Sequence, residues 1–152
     1  PAGPIVHPAV QAIRPGEAQG ILTGGTLTQL LASLGTPYAF DPPVGHILFI
    51  DEVAERPYRI DRMLTQLKLT GLLARASGIV FGELPRCDEP AAGGPAIAAV
   101  VADLMADFRG PVLFGLPSGH TDGACMTLPF GVAARVVAGP EPALVIQESA
   151  VG

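Results

Sequence analysis

Apolar runs alternate with helix-spaced apolar positions through the middle of the chain. Residues 47–50 and 78–82 form short apolar stretches typical of strands that are buried on both faces. Between them, Pro57 suits the first turn of a helix, and four apolar residues then recur on one helical face. These four are Ile60, Met63, Leu64 and Leu67. The pattern predicts a strand–helix–strand unit.

The same alternation continues on both sides of this unit. A strand is predicted at 20–23, and Gly24-Gly25 then breaks the chain before a helix at 26–34, with the tight turn favoured over an anion site. Downstream, the pattern predicts a helix at 97–108, a strand at 112–114 and β segments at 124–128, 132–137 and 143–147. We therefore expect an α/β fold, with a mixed β-sheet and flanking helices.

The first fifteen residues show little periodicity and contain four prolines. Such a segment is typical of a linker or an extended lead-in. The chain starts without methionine, and we expect residues 1–15 to lead from an N-terminal domain into a domain at 16–152.

Composition excludes several classes of protein. The 152 residues are 49 % hydrophobic with a net charge of −5, which argues against a nucleic-acid surface. No apolar run is long enough to cross a membrane, and no signal peptide is evident. Cys87 and Cys125 lie far apart without metal-ligand spacing, which favours free thiols in a reducing, cytoplasmic compartment. We expect no metal and no cofactor.

Three residues carry the candidate chemistry. Asp51 and Glu52 follow the strand at 47–50, and His120 follows the apolar run at 111–116. Ligands of open α/β sheets gather at the carboxyl ends of the strands, where an acid and a histidine can form the base half of a hydrolytic triad. Alternatively, both acids solvate a strand end, or one of them caps the helix that begins near Pro57, and His120 binds nearby backbone.

A nucleophile is harder to find in the sequence. Ser118 precedes His120 by two residues but lies in no Gly-x-Ser-x-Gly elbow, and neither cysteine adjoins a histidine. Asp51 and Glu52 are neighbours, so their side chains point to opposite faces if strand geometry persists. At most one of them can then orient His120. Because His120 and the acids follow apolar strands of one sheet, we expect His120 to lie within hydrogen-bond reach, or a short gap, of one of the two acids.

Taken together, several segments resemble the C-terminal domain of the LD-carboxypeptidases, a family of serine peptidases that includes the microcin-immunity peptidases. They run in the family's order and cover most of the chain after about residue 15. The segments are Gly24-Gly25-Thr26-Leu27, residues 34–38, 47–53, 55–64 and 78–82, Gly115-Leu116-Pro117-Ser118-Gly119-His120 and residues 127–131. The resemblance implies a swivelling β/β/α-like C-terminal domain.

The resemblance also implies a two-domain enzyme with a serine–histidine–glutamate triad, whose serine lies on the N-terminal domain. The family's histidine corresponds to His120 and its glutamate to Asp51, although this chain has Asp-Glu where the family more often has Glu-Asp, so Glu52 is the alternative acid. Thr26 stands where the family usually has asparagine.

From this resemblance we expect cleavage of an L,D amide that releases a terminal D-amino acid from murein tetrapeptide, in peptidoglycan recycling. The expected partners are the nucleophile-bearing domain, a small peptide substrate and a second copy in a homodimer, with no nucleic acid or membrane. One alternative is an amidase that acts on peptide–nucleotide antibiotics; another is a non-catalytic binding domain.

Overall fold

A computed structural model describes residues 3–88 and 94–149. In that part of the chain, eight strands form one mixed sheet in the order β1-β8-β7-β3-β4-β5-β6-β2. The strands are β1 Gly3–Ile5, β2 Gln11–Arg14, β3 Gly16–Thr26, β4 His46–Asp51, β5 Ala76–Gly82, β6 Val112–Leu116, β7 Ala133–Ala138 and β8 Ala143–Ile146. The helices are α1 Leu27–Ser33, α2 Pro57–Leu69, α3 Leu72–Arg75 and α4 Ile97–Leu104.

The long strand β3 joins two parts of this sheet. Its first half pairs antiparallel with β7, and its second half pairs parallel with β4. Strands β4, β5 and β6 continue the parallel part. The expected α/β fold with a mixed sheet is confirmed.

Two apolar clusters bury β4 on both faces. Alternate residues of the strand point in opposite directions, so Leu48 and Ile50 pack against the helices while Ile47 and Phe49 pack against residues of β7 and β8. All six residues of β4 are buried as a result. The layers are therefore helices, parallel strands and antiparallel strands, which matches the expected β/β/α-like arrangement.

The N-terminal segment differs from the expectation of a linker at 1–15. It contributes β1, which pairs with β8, and β2, which pairs with β6. Both strands lie at the edges of the sheet, where proline is tolerated because one side of the strand needs no ladder hydrogen bond. The correction concerns conformation; a preceding domain stays a prediction.

The expected break at Gly24-Gly25 is also wrong. Strand β3 continues through both glycines to Thr26. A Cβ atom at Gly24 would lie 1.9 Å from the carbonyl oxygen of Phe49 on the neighbouring strand. Gly24 therefore serves the close approach of two backbones rather than a turn.

Three further elements differ in extent. The segment 124–128, predicted as β structure, is irregular, and α4 ends at Leu104 rather than at 108. The short helix α3 was not predicted; it follows Gly71, whose φ of 80° is left-handed. No helix in the described ranges is long and apolar enough to cross a membrane.

Candidate active site

The two acids that end β4 lie on opposite faces of the sheet. Asp51 lies on the same face of β4 as Phe49, which is the face toward the antiparallel strands. Glu52 lies on the helical face, where it contacts α1. Both are almost fully buried, with exposed fractions of 2 % and 4 %. A buried carboxylate needs hydrogen-bond donors, and the donors that each finds distinguish their roles.

Asp51 contacts His120. The Nδ1 atom of His120 lies 2.6 Å from Oδ2 of Asp51, and the backbone N–H of His120 donates to the same oxygen over 3.0 Å. One carboxylate oxygen thus holds the histidine by both its main chain and its ring. The expected proximity of His120 to one of the two acids is confirmed, and the acid is Asp51.

The chain reaches Asp51 by crossing the end of an intervening strand. His120 follows β6, but β5 separates β6 from β4. The crossing lies over Gly82, where an added Cβ would be 3.0 Å from Oδ1 of Asp51 and 3.2 Å from the carbonyl oxygen of Ser118. Gly119 then lies directly on the carboxylate. Both glycines are needed because no side chain fits between the crossing chain and Asp51.

The hydrogen bond to Asp51 also determines which ring nitrogen is free. A carboxylate only accepts hydrogen bonds, so Nδ1 carries a hydrogen and Nε2 of the neutral ring is left as an acceptor. The side chain of His120 is 47 % exposed while that of Asp51 is 3 % exposed. This arrangement presents a basic nitrogen to solvent with its tautomer fixed from behind, as a general base requires.

Glu52 is bound to α1 instead. Its Oε2 accepts hydrogen bonds from the backbone N–H of Thr28 over 2.9 Å and from the Thr28 hydroxyl over 2.6 Å. Its Oε1 accepts from the backbone N–H of Val53 over 3.1 Å. A carboxylate at the N–H of Thr28 satisfies a donor that the first turn of a helix leaves unpaired. The hypothesis that one acid caps a helix therefore describes Glu52, although the helix is α1 rather than α2.

A cleft of about 290 Å³ opens beside Asp51. Its wall combines small, apolar and sulfur-bearing residues, among them Thr26, Phe49, Cys125, Met126 and Phe130. Sequence reasoning did not identify Cys125 as a cleft residue, because nothing in a single cysteine indicates its position. Its thiol is exposed, in contrast to the buried Cys87, where burial raises the thiol pKa.

Ser118 is close in sequence to His120, but its hydroxyl is bound to the loop backbone. Its side chain is buried, and its hydroxyl donates a 2.7 Å hydrogen bond to the carbonyl oxygen of Met126. The backbone N–H of Met126 in turn donates to Pro117 over 2.7 Å. These bonds close the base of the irregular loop that carries His120, so Ser118 has a structural role.

The other two histidines have different partners from those of His120. His46 begins β4, at the opposite end from Asp51, and hydrogen-bonds the carbonyl of Pro43 over 2.8 Å. Burial lowers its pKa, which favours the neutral ring. His7 accepts from the backbone N–H of Ala9 over 3.3 Å. In the described ranges, only His120 adjoins a buried carboxylate.

Comparison with known proteins relates this domain to carboxypeptidases. Relatives include the murein tetrapeptide carboxypeptidase of Pseudomonas aeruginosa, 34 % identical over 67 % of this chain and 33 % of that protein. A Bacillus subtilis protein named "Probable murein peptide carboxypeptidase" is 37 % identical over 80 % of this chain and 38 % of its own length. The sequence model described as the LD-carboxypeptidase C-terminal domain matches residues 19–136. The chain belongs to this family.

Solved structures support the same assignment. The crystal structure of muramoyltetrapeptide carboxypeptidase from Oxalobacter formigenes has a TM-score of 0.79 at 31 % identity, covering 97 % of this chain and 50 % of that one. Structures of the microcin C7 self-immunity protein also reach 0.79, at 23 % identity over 91 % of this chain and 41 % of that one, which shows the shared fold. The chain thus spans half or less of each of these proteins.

Proposed function

We propose that this domain supplies the general base and the orienting acid of a serine carboxypeptidase that releases a terminal D-amino acid from murein tetrapeptide. His120 is the base, Asp51 orients it, and a further domain of the enzyme supplies the serine and the oxyanion donors. The observation that carries the proposal is the 2.6 Å contact between His120 Nδ1 and the buried Asp51.

In this mechanism, Nε2 of His120 accepts the proton of the serine hydroxyl as the serine oxygen attacks the amide carbonyl. The imidazolium that forms is stabilised by Asp51, and it then returns the proton to the leaving amine of the D-amino acid. Water then attacks the acyl-enzyme while His120 takes one of its protons. His120 returns that proton to the serine oxygen as the ester C–O bond breaks, which frees the peptide acid and restores the serine hydroxyl. The histidine's exposed edge is the side from which the second domain and the peptide must approach.

The choice of murein peptide rests on the relatives. Two of them carry names that refer to murein peptides, at 37 % and 34 % identity, whereas the microcin C7 self-immunity protein of Escherichia coli is 30 % identical over 77 % of this chain. The test is to incubate the enzyme that contains this domain with murein tetrapeptide and, separately, with a peptide–nucleotide amide. Release of the D-amino acid, and its loss in His120→Ala, is the expected result; cleavage of only the nucleotide amide would instead support the alternative amidase.

The isolated chain should hydrolyse neither substrate. It provides a base and an acid, and the serine nearest to His120 in sequence, Ser118, donates its hydroxyl to the carbonyl oxygen of Met126. Purified 152-residue protein is assayed beside Ser118→Ala, and both should match the uncatalysed rate. Turnover that disappears in Ser118→Ala would show that the nucleophile lies in this chain and would contradict the two-domain proposal. If even the complete enzyme is inactive on both amides, the non-catalytic alternative is favoured.

A further inference from the structure

The loop that carries His120 has little regular structure of its own. After β6, residues 119–129 form neither helix nor strand, and the base is closed by the two bonds between Pro117-Ser118 and Met126. The position of the imidazole therefore depends on what holds the tip of the loop.

Three successive residues at the tip are each bound to acids or bases from other segments. His120 is held by Asp51, the Thr121 hydroxyl donates a hydrogen bond to Oε2 of Glu83, and Asp122 pairs with Arg86 over 2.9 Å. The last pair is well exposed, with side-chain exposures of 63 % for Arg86 and 69 % for Asp122. Exposed pairs contribute little to holding a structure in place, so Glu83 is the principal anchor beyond Asp51.

The backbone that carries Glu83 is held in place by β5 and by the segment that follows Asp51. It directly follows β5, and two residues later the carbonyl of Pro85 accepts a 3.0 Å hydrogen bond from the backbone N–H of Ala54, in the segment that follows Asp51. The neighbouring Leu84 is buried although its φ of 51° is left-handed, a conformation that persists only where surrounding contacts impose it. The segments that carry Asp51 and Glu83 are thus joined to each other.

We propose that Glu83 is a positioning residue for His120, acting through the hydroxyl of Thr121. The inference rests on the proposed function, because it assigns Glu83 to the same catalytic histidine. Glu83 fixes residue 121 while Asp51 fixes residue 120, so the ring cannot turn about the backbone without breaking one of the two bonds. A misplacement of a catalytic group by about 1 Å can lower turnover by about 10²-fold.

The test removes each side of this bond in the complete enzyme. Thr121→Val and Glu83→Ala should each lower kcat by about 10- to 100-fold with KM within about twofold, because geometry at the base is lost while substrate binding is kept. Thr121→Ser retains the hydroxyl and should restore most of kcat. The double variant should be no worse than either single one, since both remove one interaction.

Thr65→Val is the matched control, because the Thr65 hydroxyl donates to Asp61 over 3.2 Å on the exposed face of α2. A Thr121→Val kcat equal to that of Thr65→Val would overturn the proposal, as would a Thr121→Ser variant as impaired as Thr121→Val. If Glu83→Ala fails to fold, the comparison of Thr121 variants decides.

A spectroscopic measurement separates this inference from the proposed function. The Nδ1–H proton of His120, bonded to Asp51, should give a low-field NMR signal that is weakened or lost in Thr121→Val and retained in Thr65→Val. If the wild-type enzyme releases no D-amino acid, the proposed function fails, yet this signal still tests the positioning: its persistence unchanged in Thr121→Val would overturn the role of Glu83.

Discussion

Asp51→Asn is expected to lower kcat/KM of the complete enzyme by about 10⁴-fold, the loss that removing a triad's orienting acid can cause. Oδ2 of Asp51 receives both the ring nitrogen and the backbone N–H of His120, and Oδ1 is buried without a hydrogen-bond partner. If the asparagine oxygen takes the place of Oδ2, its NH₂ group is buried without an acceptor. If the amide flips, its NH₂ group faces two donors. The flipped amide disfavours the tautomer that leaves Nε2 free to accept a proton. The unflipped amide keeps that tautomer but lacks the negative charge that stabilises the imidazolium.

Glu52→Gln is the matched comparison, one residue along the chain and similarly buried. It should keep kcat/KM within about tenfold, that is within about 1.4 kcal/mol of transition-state stabilisation, because Glu52 contacts Thr28 and Val53 rather than His120. It should instead reduce the free energy of unfolding by about 1.5–3 kcal/mol, the range for hydrogen bonds to a charged group. The measurements are kcat/KM and denaturant unfolding of both variants. If Glu52→Gln loses kcat/KM by a large factor while Asp51→Asn keeps a near-normal kcat/KM, the orienting role belongs to Glu52.

The different roles of Asp51 and Glu52 could be predicted in part from the sequence. Strand alternation places neighbours on opposite faces, and the apolar run before Asp51 is long enough to establish that a strand persists to its end. The sequence does not reveal what lies on each face. Thr28 lies 24 residues from Glu52, and His120 lies 69 residues from Asp51. Such pairings depend on the order of strands in the sheet.

The errors at the N-terminus have the same origin. Residues of β2 alternate only weakly, and β2 forms because β6, about a hundred residues later, offers an open edge. The glycines at 24 and 25 predict a turn when only local sequence is considered, since glycine commonly punctuates elements. The actual constraint on Gly24, the carbonyl oxygen of Phe49, belongs to another strand. Local pattern thus predicts the central strands and α2 well, and fails where a distant backbone decides conformation.

The contact between Gly119 and Asp51 leads to the second large effect. Gly119 has a φ of 76°, and a Cβ there would lie 2.4 Å from both Cγ and Oδ2 of Asp51. This distance is far below van der Waals contact, and Gly82 also lies close to the carboxylate. Gly119→Ala should therefore displace the carboxylate or the loop and lower kcat of the complete enzyme by about 10²-fold or more, on the order expected for a misplaced catalytic group.

Gly131→Ala isolates the steric part of this effect. Gly131 ends the same loop with a similar φ of 86°, but nothing lies within 4 Å of the position that a Cβ would take there. Both substitutions impose a left-handed alanine, which costs about 1–2 kcal/mol, so both should lower the melting temperature. Only Gly119→Ala should lose turnover and the low-field His120 proton. If the two variants had kcat values within about threefold of each other, a difference of less than about 1 kcal/mol, the close fit of Gly119 on Asp51 would not be what maintains the pair.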